Sequence, residues 1–85
     1  MSKECYRVVI ELNGCKYVDE LFRKSPDDKC ICKIYALALT ERGGKEKADA
    51  IMQSHLSMDN KCNRLIDELL CLAGDVNLTI DNRGD

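Results

Sequence analysis

The chain carries six cysteines and one histidine, and these are the side chains on which chemistry could be built. Cys30-Ile31-Cys32 is the closest cysteine pair. Its one-residue gap is not the two-residue gap of zinc ribbons or thioredoxin-like redox sites. At 3.6 residues per turn, the two thiols of a helical segment point about 200° apart and cannot grip one metal without unwinding it. Cys62 and Cys71, nine residues apart, also project to opposite sides of a helix. The remaining metal arrangement is tertiary, with Cys30 or Cys32 joining Cys62 and His55, and its spacings follow no zinc pattern. Six cysteines would imply a disulfide framework in a secreted protein. The polar start Met1-Ser2-Lys3-Glu4 has no signal-peptide character. Reduced thiols, buried as small hydrophobes in a cytoplasmic protein, are therefore the expectation.

His55 would have to serve any Cys–His nucleophile pair. Nothing near it in sequence supplies an orienting carboxylate or an oxyanion loop. Its place at an apolar helical spacing near a helix C-terminus fits a packed or dipole-facing side chain. Gly43-Gly44-Lys45 invites a phosphate-loop reading. That motif needs a glycine at position 39 and a hydroxyl at 46, where Leu39 and Glu46 stand. The glycines read instead as the end of one helix and the start of the next. Asn77-Leu78-Thr79 spells a glycosylation acceptor but falls in an expected strand, without an export signal. Arg83-Gly84-Asp85 matches an adhesion-type tripeptide by no more than three polar tail residues. The expectation is a protein with no catalytic constellation, cofactor or metal.

The elements around these residues are easier to read. Cys5 to Leu12 and Cys15 to Arg23 are apolar-rich runs separated by Asn13-Gly14, the strongest short signal for a type I′ hairpin. A two-residue loop sets Leu12 opposite Cys15, Glu11 opposite Lys16, Ile10 opposite Tyr17, Val9 opposite Val18 and Arg7 opposite Glu20. Two opposite-charge pairs then lie on one face, each contributing about 0.2–1 kcal/mol. Tyr6, Val8, Ile10, Leu12, Tyr17 and Leu21 form the core face. Asp19 falls on it too, which asks for a bulge or a position at the wet rim.

Ser25-Pro26-Asp27-Asp28 starts a helix, with Ser25 as cap and Pro26 at the first helical position. The spacing predicts a helix from Pro26 to about Arg42, apolar over enough of its girth to need more than one neighbour. A second helix fits Lys45 to Leu56 and a third Asn60 to Ala73, the third capped by Ser57 or Asp59 and the two open to being one kinked helix. Cys62, Leu65, Ile66, Leu69, Leu70 and Ala73 share a broad face of the third helix. From Asp75 to Asp81 strict alternation predicts a strand with Val76, Leu78 and Ile80 inward. The fold class is α+β: a small antiparallel sheet, made of the N-terminal hairpin and the C-terminal strand, packed on two to three helices in the order ββαααβ.

Eighty-five residues, 45% of them hydrophobic and 33% charged, suit a single globular domain, residues 1–85, with a modest core. The net charge of −2 and the absence of Trp argue against a nucleic-acid surface. No apolar run reaches the ~20 residues of a membrane span. The outer face of the hairpin remains, with Arg7, Val9, Val18, Glu20 and Phe22 as a candidate protein-binding patch of apolar residues between ion pairs. A free sheet edge is a second route to a partner. These features point to a non-catalytic cytosolic protein-binding module, an inhibitor or regulator that blocks a surface of a larger protein. Homodimerisation is the other association open to it. Short accessory proteins of this kind are common on phages and mobile elements, an expectation from size and not from these residues. The alternative is a cysteine-based metal-binding or redox-sensitive regulator.

Overall fold

The computed structural model describes residues 5–82. The Met1–Glu4 start and the Arg83-Gly84-Asp85 tripeptide lie outside the described residues. The elements follow as β1 (Tyr6–Leu12), β2 (Cys15–Phe22), α1 (Asp28–Glu41), α2 (Lys45–Gln53), α3 (Met58–Ala73) and β3 (Val76–Asn82). This is the expected α+β order. The strands form one antiparallel sheet in the order β2-β1-β3, so the C-terminal strand joins the hairpin on the far side of β1.

Asn13 and Gly14 turn the hairpin with φ of 53° and 83°, the positive values that a tight primed turn requires. As the central strand, β1 takes most of the sheet's burial. Val8, Ile10 and Leu12 are at most 1% exposed. They pack with Val18 of β2, with Cys32, Ile34, Ala38 and Leu39 of α1, with Ala48 of α2, and with Leu65, Leu69 and Ala73 of α3. Removing a buried leucine such as Leu65 or Leu69 would cost about 2–5 kcal/mol.

The hairpin register holds near the turn and then departs from a simple two-residue loop. Leu12 faces Cys15 and Glu11 faces Lys16, but a bulge follows, and Ile10 faces Val18 instead of Tyr17. From there the strand is shifted by one residue. Val9 lies opposite Asp19 and Arg7 opposite Leu21, not opposite Val18 and Glu20. Tyr17 is the extra residue. A one-residue slip reverses which side chains face the core, so Asp19 and Leu21 leave the helix side while Val18 and Phe22 join it.

The helix ends also correct the sequence reading. Asp27, not Ser25, caps α1: its carboxylate accepts from the Cys30 backbone N–H at 2.9 Å. Pro26 therefore stands just outside the helix. That bond, with others from nearby backbone groups, holds the Asp27 carboxyl below its ordinary value of 3.8. Helix α2 stops at Gln53, where the Ser54 hydroxyl donates to the Ile51 carbonyl at 2.6 Å, short of the expected Leu56. Ser57 caps α3 by accepting from Asn60 N–H at 3.3 Å, so α2 and α3 are separate helices. The Lys61 ammonium donates to the Met52 carbonyl at 2.8 Å, and Lys47 pairs with Glu68 at 3.1 Å. Both tie α2 to α3.

Gly44 is needed for space and not for its backbone angle. A Cβ there would lie 2.6 Å from Cδ1 of Leu39, which is fully buried. Serine is ordinarily a better helix cap than glycine, yet at this position its Cβ meets the same wall. Gly44→Ala and Gly44→Ser should both lower stability by about 1–3 kcal/mol, read from urea unfolding midpoints. A second outcome concerns pH. Because the native Asp27 carboxyl is held low, its contribution is fully present above the unfolded value of 3.8 and fades as pH falls through the lower native value. Asp27→Asn keeps a capping oxygen but cannot titrate. The stability gap between wild type and Asp27→Asn should therefore shrink on acidification through that range.

Candidate functional site: the open face of the sheet

The described helices pack on the side of Val8, Ile10 and Leu12. The opposite face consists of Arg7, Val9 and Glu11 on β1, Lys16, Asp19 and Leu21 on β2, and Asn77, Thr79 and Asp81 on β3. Leu21 is 68% exposed, the highest value among the exposed large hydrophobics. Beside it, Arg7 and Asp19 form a two-pronged ion pair. Nε donates to Oδ1 at 3.0 Å and Nη2 to Oδ2 at 2.7 Å. The hydrogen bonds and charge of Asp19 push the Arg7 guanidinium above its ordinary value. The two residues sit diagonally across the strands, Asp19 opposite Val9 and Leu21 opposite Arg7, within reach of long side chains.

The five residues proposed from sequence for a partner surface do not share this face. Arg7 and Val9 lie on it, and Val9 is only 4% exposed. Glu20 pairs with Val8, and Phe22 pairs with Tyr6, on the helix side. Val18 is 6% exposed within the core. The expected apolar strip of Val9, Val18 and Phe22 is thus dismantled by the bulge. Leu21, assigned to the core from strict alternation, is the exposed apolar residue that takes its place. The signal for this was present in the sequence: a carboxylate, Asp19, on the nominal core face marks the point where a simple alternation fails.

The bulge itself is held from the helical layer. Arg42, the C-cap of α1, donates from Nη1 to the Tyr17 hydroxyl at 2.7 Å, and its guanidinium carbon lies 5.2 Å from the Tyr17 ring centroid. Its Nη2 reaches the Leu72 carbonyl near the end of α3 at 3.4 Å. One side chain thus links the extra residue of β2 to the C-terminal ends of two helices.

The thiols of Cys30, Cys32, Cys62 and Cys71 are carried by the helices, apart from this face. All six cysteines are free thiols. Cys32 is buried on α1, with its Sγ 3.6 Å from Sδ of Met52. Burial pushes its thiol up, partly opposed by the Lys61 charge. Burial also pushes Cys62 up, with smaller contributions from nearby Cys32, Asp28 and Asp59. A raised thiol carries less thiolate at neutral pH and is a poorer nucleophile or metal ligand. His55 lies exposed in the turn between α2 and α3, just past the Ser54 C-cap of α2, and not within a packed helix face. Among the described residues, no group of three or more His, Cys, Asp or Glu side chains is placed to hold a metal ion. Gly43, with φ of 90°, ends α1, and Gly44 opens α2. They line an open depression of about 480 Å³ with Arg42, Lys45, Lys47 and Leu72. Among the described residues, no helix is long and apolar enough to cross a membrane.

Compared with known proteins, the chain matches no family model, no curated protein and no solved structure.

The thiol environments set an order of reaction. Cys15 and Cys71 are exposed, whereas Cys32 is fully buried. Under native conditions, Cys15 and Cys71 should alkylate first, and Cys32 last, at a rate set by local opening. Time-resolved peptide mass spectrometry reads the order. Labelling of Cys32 as fast as Cys15 in the folded protein would contradict the packing of α1 against α2.

Proposed function

We propose that the chain is a non-catalytic protein-binding module, an inhibitor or regulator that works by occupying a surface of a larger protein. The observation that carries this reading is Leu21, 68% exposed on a sheet face that the described helices leave open. An exposed leucine costs the free protein solvation free energy that a partner pocket would recover, about 1.5–3 kcal/mol on full burial. The Arg7–Asp19 pair beside it supplies a charged rim, and a polar rim around an apolar anchor is the usual anatomy of a protein contact. The low-reactivity environments of Cys32 and Cys62 favour a role in packing over a role in chemistry. Inhibition would be steric, since blocking a surface needs shape and rim charge but no reacting group. A cytoplasmic setting suits the free thiols.

The experiment compares tagged wild type with Leu21→Asp and Leu56→Asp in pull-downs from the native host, followed by mass spectrometry. Leu56 is 40% exposed in the turn between α2 and α3, far in sequence from the sheet face. A protein captured by wild type and by Leu56→Asp, and lost with Leu21→Asp, is the expected result. Retention of the partner by a folded Leu21→Asp protein would sink the assignment of this face. Val18→Asp is unsuitable as a surface probe, because a carboxylate at that core position should unfold the protein.

A further inference from the structure

The sheet has two edges, and they differ. The β2 edge is interrupted by the bulge at Tyr17 and carries Lys16, Asp19 and Glu20. Bulges and charges are the ordinary devices that keep an edge from pairing with another chain. The β3 edge has neither device along most of its length. Its seven residues, Val76–Asn82, run in unbroken register with β1 and include one charged side chain, Asp81. Ile80 projects on the helix side of the sheet, opposite Val8, yet is 45% exposed. Leu70, on the α3 helix that packs against β3, is 43% exposed.

The direction of the backbone groups on this edge follows from one bond. The Asn13 N–H donates to the Asp75 carbonyl at 3.2 Å. These residues lie one step beyond the Leu12–Val76 pair. Hydrogen-bonded and non-hydrogen-bonded pairs alternate along an antiparallel ladder. The bonded pairs are therefore Glu11–Asn77, Val9–Thr79 and Arg7–Asp81. The N–H and C=O groups of Val76, Leu78 and Ile80 turn away from β1, along the open edge.

We propose that β3 pairs antiparallel with β3 of a second copy of this chain, about a two-fold axis at Thr79, giving a continuous six-stranded sheet. In that register Leu78 faces Ile80 of the second copy. Both residues turn their backbone groups outward, as a hydrogen-bonded pair requires. The two Thr79 side chains meet at the close non-bonded spacing on the open face, where threonine pairs are favourable. Asn77 faces Asp81 of the second copy, so no two carboxylates are opposed. The exposed Ile80 gains an apolar neighbour on the helix side.

Neighbouring registers do less. An axis at Leu78 sets Asp75 against Asp81, a like-charge pair that is unfavourable. An axis at Asn77 leaves Ile80 opposite Gly74, with no side chain to cover it. An axis at Ile80 pairs only residues 78–82 of the strand. The Thr79 axis alone pairs all seven residues without opposing like charges. A single-strand contact is smaller than the ~1,200–2,000 Å² of a standard stable interface, so the dimer should dissociate on dilution.

Sedimentation velocity of the purified chain over a wide concentration range should show a reversible rise from one chain mass to two. Ile80→Lys should weaken the dimer at least about tenfold, since it opposes a charge to Leu78 at both symmetric contacts. Leu21→Lys, on the open face, should leave dimerisation unchanged, which separates this contact from the partner surface proposed above. Thr79→Cys, with Cys15 and Cys71 changed to Ser, should form a covalent dimer under mild oxidation, because facing residues at the axis have Cβ atoms about 4.5–5.5 Å apart. Asn77→Cys in the same background should not. The cross-link also reports the contact should Ile80→Lys fail to fold. A single chain mass at all concentrations overturns the proposal. So does a dimer indifferent to a folded Ile80→Lys, or one that Thr79→Cys does not capture.

Discussion

One extra residue in β2 decides which way the side chains of that strand point. Tyr17 stands in the hairpin without a partner of its own, and beyond it every side chain of β2 changes faces relative to a simple two-residue hairpin. Val18 enters the core opposite Ile10, Phe22 joins the helix side, and Leu21 turns out to solvent. The driving force for this choice is visible in Asp19. Without the shift, its carboxylate would lie on the core face, where burial of an unpaired charge is prohibitive. With the shift it reaches the open face and binds Arg7 through two donors. An exposed ion pair contributes little by itself, because water screens it. The gain lies in what is avoided, and in delivering Val18 to the core in its place.

A bulge needs support, because the extra residue is left out of the ladder. Here the support comes from Arg42, at the end of α1, which bonds the Tyr17 hydroxyl and lies near its ring. The position of α1 therefore bears on the register of β2. Gly44 enters the same chain of contacts, since the tight approach of α2 to Leu39 positions the α1–α2 corner where Arg42 stands. Sheet register, helix packing and the orientation of Leu21 are physically linked.

The elements themselves were legible in the sequence because their signals are local. Asn13-Gly14 names its turn, Gly74 ends α3 in the left-handed conformation with φ of 78°, and the alternation from Val76 to Ile80 marks the third strand. The departures are those where two local signals compete or a tertiary contact chooses. Ser25 and Asp27 can both cap a helix, and the carboxylate with the better reach to the Cys30 N–H prevails. Ser54 diverts a carbonyl bond at the end of α2 that propensity alone would have continued. Leu70 belongs by spacing to the apolar face of α3, yet that face is wider than its neighbours can cover. The candidate site was the least legible part. It required the residue-by-residue parity of β2, and parity is lost at a bulge whose extra residue, Tyr17, is bonded by a side chain 25 positions away.

The open face and the open edge share one cause. A chain of 85 residues has enough apolar side chains for one sheet–helix interface, and folded chains of this size bury a limited fraction of their surface. The central strand takes most of that burial, with Val8, Ile10 and Leu12 each at most 1% exposed. The outer strands take less: β3 leaves Ile80 45% exposed and β2 leaves Leu21 68% exposed. Their protection is unequal. Charges and a bulge guard the β2 edge, while its apolar residue faces outward from the sheet plane. The β3 edge runs in unbroken register, and its apolar residue lies in line with backbone groups that turn away from β1. The first arrangement suits contact through a face, and the second suits addition of a strand. A small sheet can thus offer two modes of association, one perpendicular to the strands' plane with Leu21 of β2 as its apolar anchor, and one within that plane along β3.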